Sequence, residues 1–133
     1  MFRIKYCREI VLKILYQLDA LNCEATDSGP VIDEYFKSFR SVNPDEDEFI
    51  RHLVRIVIEQ KPRIDKLISE NLIGWKLSRL ALVDRNLLRM GIAEAEFNSQ
   101  KPIIIDDLIR VAKKYSDPDS YKLLNAILDK VLP

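Results

Sequence analysis

Arg110, Lys113, Lys114 and Tyr115, followed by Ser116-Asp117-Pro118-Asp119-Ser120-Tyr121-Lys122, gather four bases, two aromatic rings, two serines and a helix start within thirteen residues. Basic side chains and helix N-termini hold phosphates, and aromatic rings stack on unpaired bases. That mixture is what single-stranded RNA would require. Composition alone equally allows solvated helix faces with Tyr115 in the core. Arg3, Lys5 and Arg8, at the other end of the chain, extend the basic surface if the two ends meet.

No comparable set points to catalysis. The glycines Gly29, Gly74 and Gly91 are too few and too scattered for a phosphate-cradling or dinucleotide loop. His52, between Glu48, Arg51 and Arg55, reads as a surface histidine. Asp106-Asp107 and the Glu94/Glu96 pair point apart on a helix, so neither forms a shared-proton dyad. Cys7 and Cys23 belong to no ligand pattern, whereas structural zinc takes about four N/S ligands. They read as reduced, partly buried thiols. No enzyme, metal or cofactor is expected.

The elements that must position these residues are helices. Ile10, Val11, Ile14, Leu15, Leu18 and Leu21 recur at three- and four-residue steps, predicting a helix over about 3–22. Thr26-Asp27-Ser28-Gly29-Pro30 reads as a loop, and Ile32, Tyr35, Phe36 and Phe39 as a shorter helix. Asn43-Pro44-Asp45-Glu46 is a helix start: a capping side chain, a proline for the first turn and acids for the positive dipole end. Pro62 either restarts or kinks the following helix, and Gly74 is placed as a C-terminal cap. Further apolar stripes run over Leu82–Phe97, Ile104–Tyr115 and Tyr121–Val131, separated by Gln100-Lys101-Pro102 and Ser116-Asp117-Pro118-Asp119, the last read as a cap with proline in the first turn. The expected class is all-α, about seven helices in two packed small bundles, with halves of about 1–74 and 75–133.

Apolar residues make up 47% and charged residues 32% of the 133, a globular composition. No apolar run approaches the roughly 18 residues of a membrane span, and the early charges Arg8, Glu9 and Lys13 break any signal-peptide core. A cytoplasmic location is expected. The net charge of zero is segregated. Glu24, Asp27, Asp33, Glu34, Asp45, Glu46, Asp47 and Glu48 face only Lys37 and Arg40 within 24–48, so the remainder of the chain is basic. A polyanion can be favoured on one face without a basic pI.

Several segments together resemble the NusB family of bacterial transcription antitermination factors. Arg8-Glu9-Ile10-Val11-Leu12-Lys13-Ile14-Leu15-Tyr16-Gln17 is similar to its opening helix. Trp75-Lys76-Leu77-Ser78-Arg79-Leu80 with Val83-Asp84-Arg85-Asn86-Leu87-Leu88-Arg89 is similar to its central signature. Pro102, Ala112-Lys113-Lys114-Tyr115, Asp119-Ser120-Tyr121-Lys122 and Asn125-Ala126-Ile127-Leu128-Asp129-Lys130 are similar to its C-terminal one. The resemblance spans nearly the whole chain, least in 24–60.

It implies two small helical bundles and no catalysis. It also implies binding of boxA leader RNA together with NusE, a small-subunit ribosomal protein, within an RNA polymerase elongation complex that reads through terminators. Carried over by position, the RNA surface comprises Lys5, Arg8, Tyr16, Tyr115, Asp119, Ser120 and Lys122, and Asp84 and Arg85 lie near the protein partner. Lys5, Arg8 and Lys122 would hold phosphates, and Tyr16 and Tyr115 would meet bases. Ser120 would supply a polar edge, and Asp119 would accept from a base or cap its helix. The chain departs from the family where Ile4, Tyr6 and Cys7 thin an arginine-rich lead, and where Leu123 and Ala126 replace an aromatic and a glycine. The alternatives are the NusB-like domain of an RNA cytosine methyltransferase and a helical interaction module without RNA.

Overall fold

The computed structural model describes residues 1–20, 29–38 and 42–133, and the side chain of Ser38 is left aside. Leu21, Cys23, Thr26-Asp27-Ser28 and Phe39 lie outside the described residues. Among those described, the chain forms seven α-helices: α1 Ile4–Ala20, α2 Gly29–Ser38, α3 Pro44–Glu59, α4 Lys61–Glu70, α5 Leu82–Glu94, α6 Lys101–Tyr115 and α7 Ser120–Val131. A three-residue 3-10 turn, Leu77–Arg79, precedes α5. No helix among the described residues is long and apolar enough to cross a membrane.

The expected start at Asn43 is present in full. The Asn43 side chain accepts from the Glu46 amide, the Glu46 carboxylate accepts from the Asn43 amide, and Pro44 occupies the first turn. Proline costs nothing there because its missing N–H has no intrahelical partner. Pro62 restarts rather than kinks: α3 ends at Glu59, Gln60 joins the two helices, and Pro62 sits in the first turn of α4.

Four local expectations need correction. Lys101 and Pro102, read as part of a break, open α6. Gly29 and Pro30 open α2 rather than lying in the loop, again because proline suits a first turn. Gly74 does not cap α4, which ends at Glu70. It lies four residues on, at φ 77°, inside the connector. Pro118 precedes α7 instead of entering it, so the turn between α6 and α7 runs from Ser116 to Asp119.

Helix α5 is the centre of the fold and packs against α1, α3, α4, α6 and α7. Leu87, Leu88, Met90, Ile92 and Ala93 are buried around its circumference. Gly91 lets α6 and α7 close in: a Cβ there would lie 2.7 Å from Leu128 Cδ2 and 3.0 Å from Leu108 Cδ1. Burying each large aliphatic side chain contributes about 1.5–3 kcal/mol. A helix enclosed on all sides must also pair its polar groups. Arg89 donates to Asp65 and Asp19, and Asn86 donates to Asp19, which ties α5 to α4 and to the end of α1.

Candidate nucleic-acid interface

The two ends of the chain meet where side chains of α1 reach those of α6. The contact is made by Glu9, which sequence reasoning overlooked. Its Oε1 accepts from Lys114 Nζ at 2.9 Å and from Tyr115 Oη at 3.0 Å, and Oε2 accepts from Arg110 Nη2 at 3.4 Å. Burial would raise the Glu9 carboxyl, but the bonds from Lys114 and Tyr115 outweigh it and hold the group below its ordinary range. Glu9 and Tyr115 are 106 residues apart, so no local spacing could reveal the pair. Lys5, Glu9 and Lys13 follow one another at single-turn steps, which sets Lys5 and Lys13 on the same side of α1 as this contact. Both lysines are exposed.

Arg8 departs from its expected role. Its side chain is 1% exposed, and its guanidinium is used internally. Nε and Nη2 donate to the two carboxylate oxygens of Glu94 at 2.8 and 2.6 Å, and Nη1 donates to Asp107 at 2.9 Å. A phosphate would have to displace both carboxylates from a buried site, so Arg8 is a tie between α1, α5 and α6. Its burial had a signal in the sequence: Arg8 shares a helical face with Val11, Leu12 and Leu15, all buried. Asp107 also accepts from Arg110 Nε at 2.8 Å, so the pairing runs unbroken from Glu94 in the core to Tyr115 at the surface.

The other expected residues divide between surface and support. Tyr16 is 44% exposed and Tyr115 39%. With Leu12, Lys13 and Val83 they line a mostly apolar groove of about 260 Å³. Tyr115 is thus neither buried core nor free: its hydroxyl is pinned by Glu9, and the Lys114 ammonium lies 5.0 Å from its ring centre. Lys122 is exposed, 3.7 Å from an equally exposed Asp119. Asp119 precedes α7 but makes no side-chain cap bond, and its exposed carboxylate faces the Lys122 ammonium. Tyr121, one residue before Lys122, lies under the Lys113 ammonium at 4.6 Å. Leu123, where the family's ring would stand, packs partly buried against the core.

Ser120, Ser116 and Asp84 form a supporting chain. Ser116 Oγ donates to Asp84 Oδ1 at 2.7 Å and lies 3.2 Å from Ser120 Oγ. Asp84 is buried and faces inward, and it fixes the α6–α7 turn against the first turn of α5. Arg85 is half-buried, and among the described residues it has no ion pair and its Nε no hydrogen-bond partner. His52 is exposed, with its ring 4.6 Å from that of Phe97. Cys7 is a buried free thiol, raised to about 11 chiefly by burial. Among the described residues no His, Cys, Asp and Glu cluster could hold a metal ion.

The fold and this surface define an all-α protein in which lysines, tyrosines and a serine-rich turn surround an apolar groove. Residues 6–133 match the NusB family. The chain belongs to that family. It is 35% identical over 129 residues to the transcription antitermination protein NusB of Staphylococcus carnosus, covering 96% of this chain and 97% of that one. The structure of T. maritima NusB is similar at a TM-score of 0.85, with 32% identity over 96% of this chain and 89% of that one. A crystal structure of the antitermination factors NusB and NusE in complex with dsRNA contains a chain similar at a TM-score of 0.86. Its identity is 27%, over 99% of this chain and 98% of that one.

Proposed function

We propose that this protein is a transcription antitermination factor that binds boxA-type leader RNA together with NusE and joins the elongating RNA polymerase, especially on ribosomal RNA operons. The observation that carries this reading is the near-complete match, 99% of this chain, to a structure holding NusB, NusE and RNA. The protein acts by binding rather than catalysis, in keeping with relatives named as antitermination proteins. It works in the cytoplasm, as a single unit whose helical halves divide near Gly74.

Lys5 and Lys122 hold phosphates, Tyr115 and Tyr16 meet bases or the partner's apolar side chains, and Ser120 and Asp119 offer polar edges. Arg8 and Asp84 act from behind, fixing α1 and the α6–α7 turn. The groove bounded by Val83 and the two tyrosines takes NusE, so that protein and RNA share an edge at Tyr115. Arg85, one turn of chain from that groove, lies beside the same partner.

The test is a titration of boxA RNA and a scrambled control, with and without NusE, at several salt concentrations. The expected result is preference for boxA, a gain in affinity with NusE, and a fall in affinity with salt set by the phosphates engaged. Lys5 and Lys122 changed together to glutamine should flatten that salt slope by about 2. Equal binding of both RNAs under every condition would overturn the reading.

A further inference from the structure

The connector between α4 and α5 displays the only tryptophan of the sequence, Trp75, at 58% exposure beside Ile73 at 89%. An isolated exposed aliphatic is ordinary, but an outward tryptophan next to one is a large apolar area to leave in water. The connector is anchored: Leu72 and Leu80 are buried at its two ends, Leu77 packs against the core, and Gly74 turns the chain at φ 77°. Trp75 is therefore held outward by its backbone.

Its charge is one-sided. Between Asn71 and Val83 there is no acid, and Lys76 and Arg79 are exposed with no carboxylate partner among the described residues. The nearest acid downstream, Asp84, is turned inward to Ser116. An indole flanked by unpaired cations suits a stacked base between phosphates, since base–aromatic stacking tolerates any base and the cations track the backbone. The location is also continuous with the α6–α7 turn. The Asp84–Ser116 bond sets that turn against the start of α5, and Arg79 lies five residues before Asp84, within about 18 Å even if fully extended.

We propose that the connector bearing Trp75, Lys76 and Arg79 is a second RNA contact, which stacks a base of the single strand continuing past the α6–α7 site. This rests on the RNA reading above and extends the path of the strand from the α6–α7 turn to the connector. It commits to RNA because the patch carries unpaired positive charge throughout. A protein partner would be the alternative outcome.

Trp75 provides its own probe, because all tryptophan fluorescence comes from it. Three RNAs are titrated into the full chain: a boxA core, the core extended by several nucleotides on its 5′ side, and the core extended on its 3′ side. Fluorescence quenching and affinity are read together. One of the extended RNAs should quench Trp75 and bind about tenfold more tightly than the core. Trp75→Ala should remove that advantage while leaving core binding unchanged, and Trp75→Phe should retain part of it. Lys76→Gln with Arg79→Gln should lower the salt slope of the extended RNA by about 2 and leave that of the core alone. If the core binds but neither extension quenches or tightens, this proposal falls and the antitermination reading stands. If NusE quenches Trp75 and the extended RNAs do not, the patch is a protein contact and the RNA assignment is overturned. If no RNA binds at all, both readings fail.

Discussion

Arg8 and Glu46 show how charges inside this protein hold the functional surface in place. Arg8 satisfies Glu94 and Asp107 in a buried site, and removing one partner of such a pair costs about 3–5 kcal/mol because the other charges remain buried and unpaired. Arg8→Met should therefore lower the urea midpoint substantially. The salt slope of RNA binding, measured under conditions where the variant is still folded, should not change. A loss of about one in the slope with stability intact would instead put the guanidinium on a phosphate. Glu46, in the first turn of α3, pairs with Arg3 just ahead of α1. The Arg3 guanidinium donates to both its oxygens, and the Asn43 and Arg3 amides also donate, holding the carboxyl at about 2 against burial that would raise it. A carboxyl lowered on folding adds stability that is complete above its ordinary value of 4.5 and is lost as pH falls from there through about 2. Unfolding midpoints measured between pH 6 and 2 should fall steeply in that window, and Glu46→Gln should flatten the fall. Glu9 and Asp19, also held low by basic neighbours, leave a residual slope in the variant.

The helices themselves were largely readable, because each rests on local physics. The capping box at Asn43, the first-turn prolines and the apolar stripes act within four residues, and the observed ends follow them closely. What the sequence concealed acts at long range. Nothing near Glu9 announces that it will meet Lys114 and Tyr115, and Gly74 looks like a cap until the end of α4 is seen at Glu70. Of the expected RNA residues, Tyr16, Tyr115 and Lys122 reach the surface as their types suggest, whereas Arg8 is drawn inward by two carboxylates that lie in other helices. Gly91 belongs at this scale too, because it sets how closely α5, α6 and α7 approach. Alanine there gains about 1 kcal/mol of helix propensity, which offsets part of the crowding against Leu128 and Leu108. Valine brings two more carbons into the same contact and loses χ1 freedom. Gly91→Val should destabilise by about 2 kcal/mol or more in chemical denaturation, and Gly91→Ala by clearly less. Equal stability of the two variants would mean that the α6–α7 hairpin shifts freely on α5.

At the scale of the whole molecule, the surface is built from distant parts of one chain, and that has a thermodynamic consequence. Tyr115 is shared: its hydroxyl is fixed from α1 through Glu9, and its ring lines the groove with Tyr16 and Val83. If the RNA strand lies along the α6–α7 side and NusE fills the groove, each ligand meets a ring that the other has already ordered. Ordering a shared group once rather than twice makes the two events favour each other. Linkage then requires reciprocity: the factor by which NusE tightens RNA binding must equal the factor by which RNA tightens NusE binding, typically 5–150-fold. Calorimetric titrations around the full cycle measure both. Glu9→Gln removes the charge that pins Lys114 and weakens the hold on Tyr115, which leaves more of the ring's freedom to be lost on binding, so both factors should rise together and by the same amount. The freed cation, Lys114, should meanwhile raise binding of the scrambled RNA and steepen its salt dependence, whereas Arg110 stays paired with Asp107. Coupling that survives Glu9→Gln unchanged would locate the link between the two ligands in direct contact between them, and not in the tyrosine that this fold holds at their common edge.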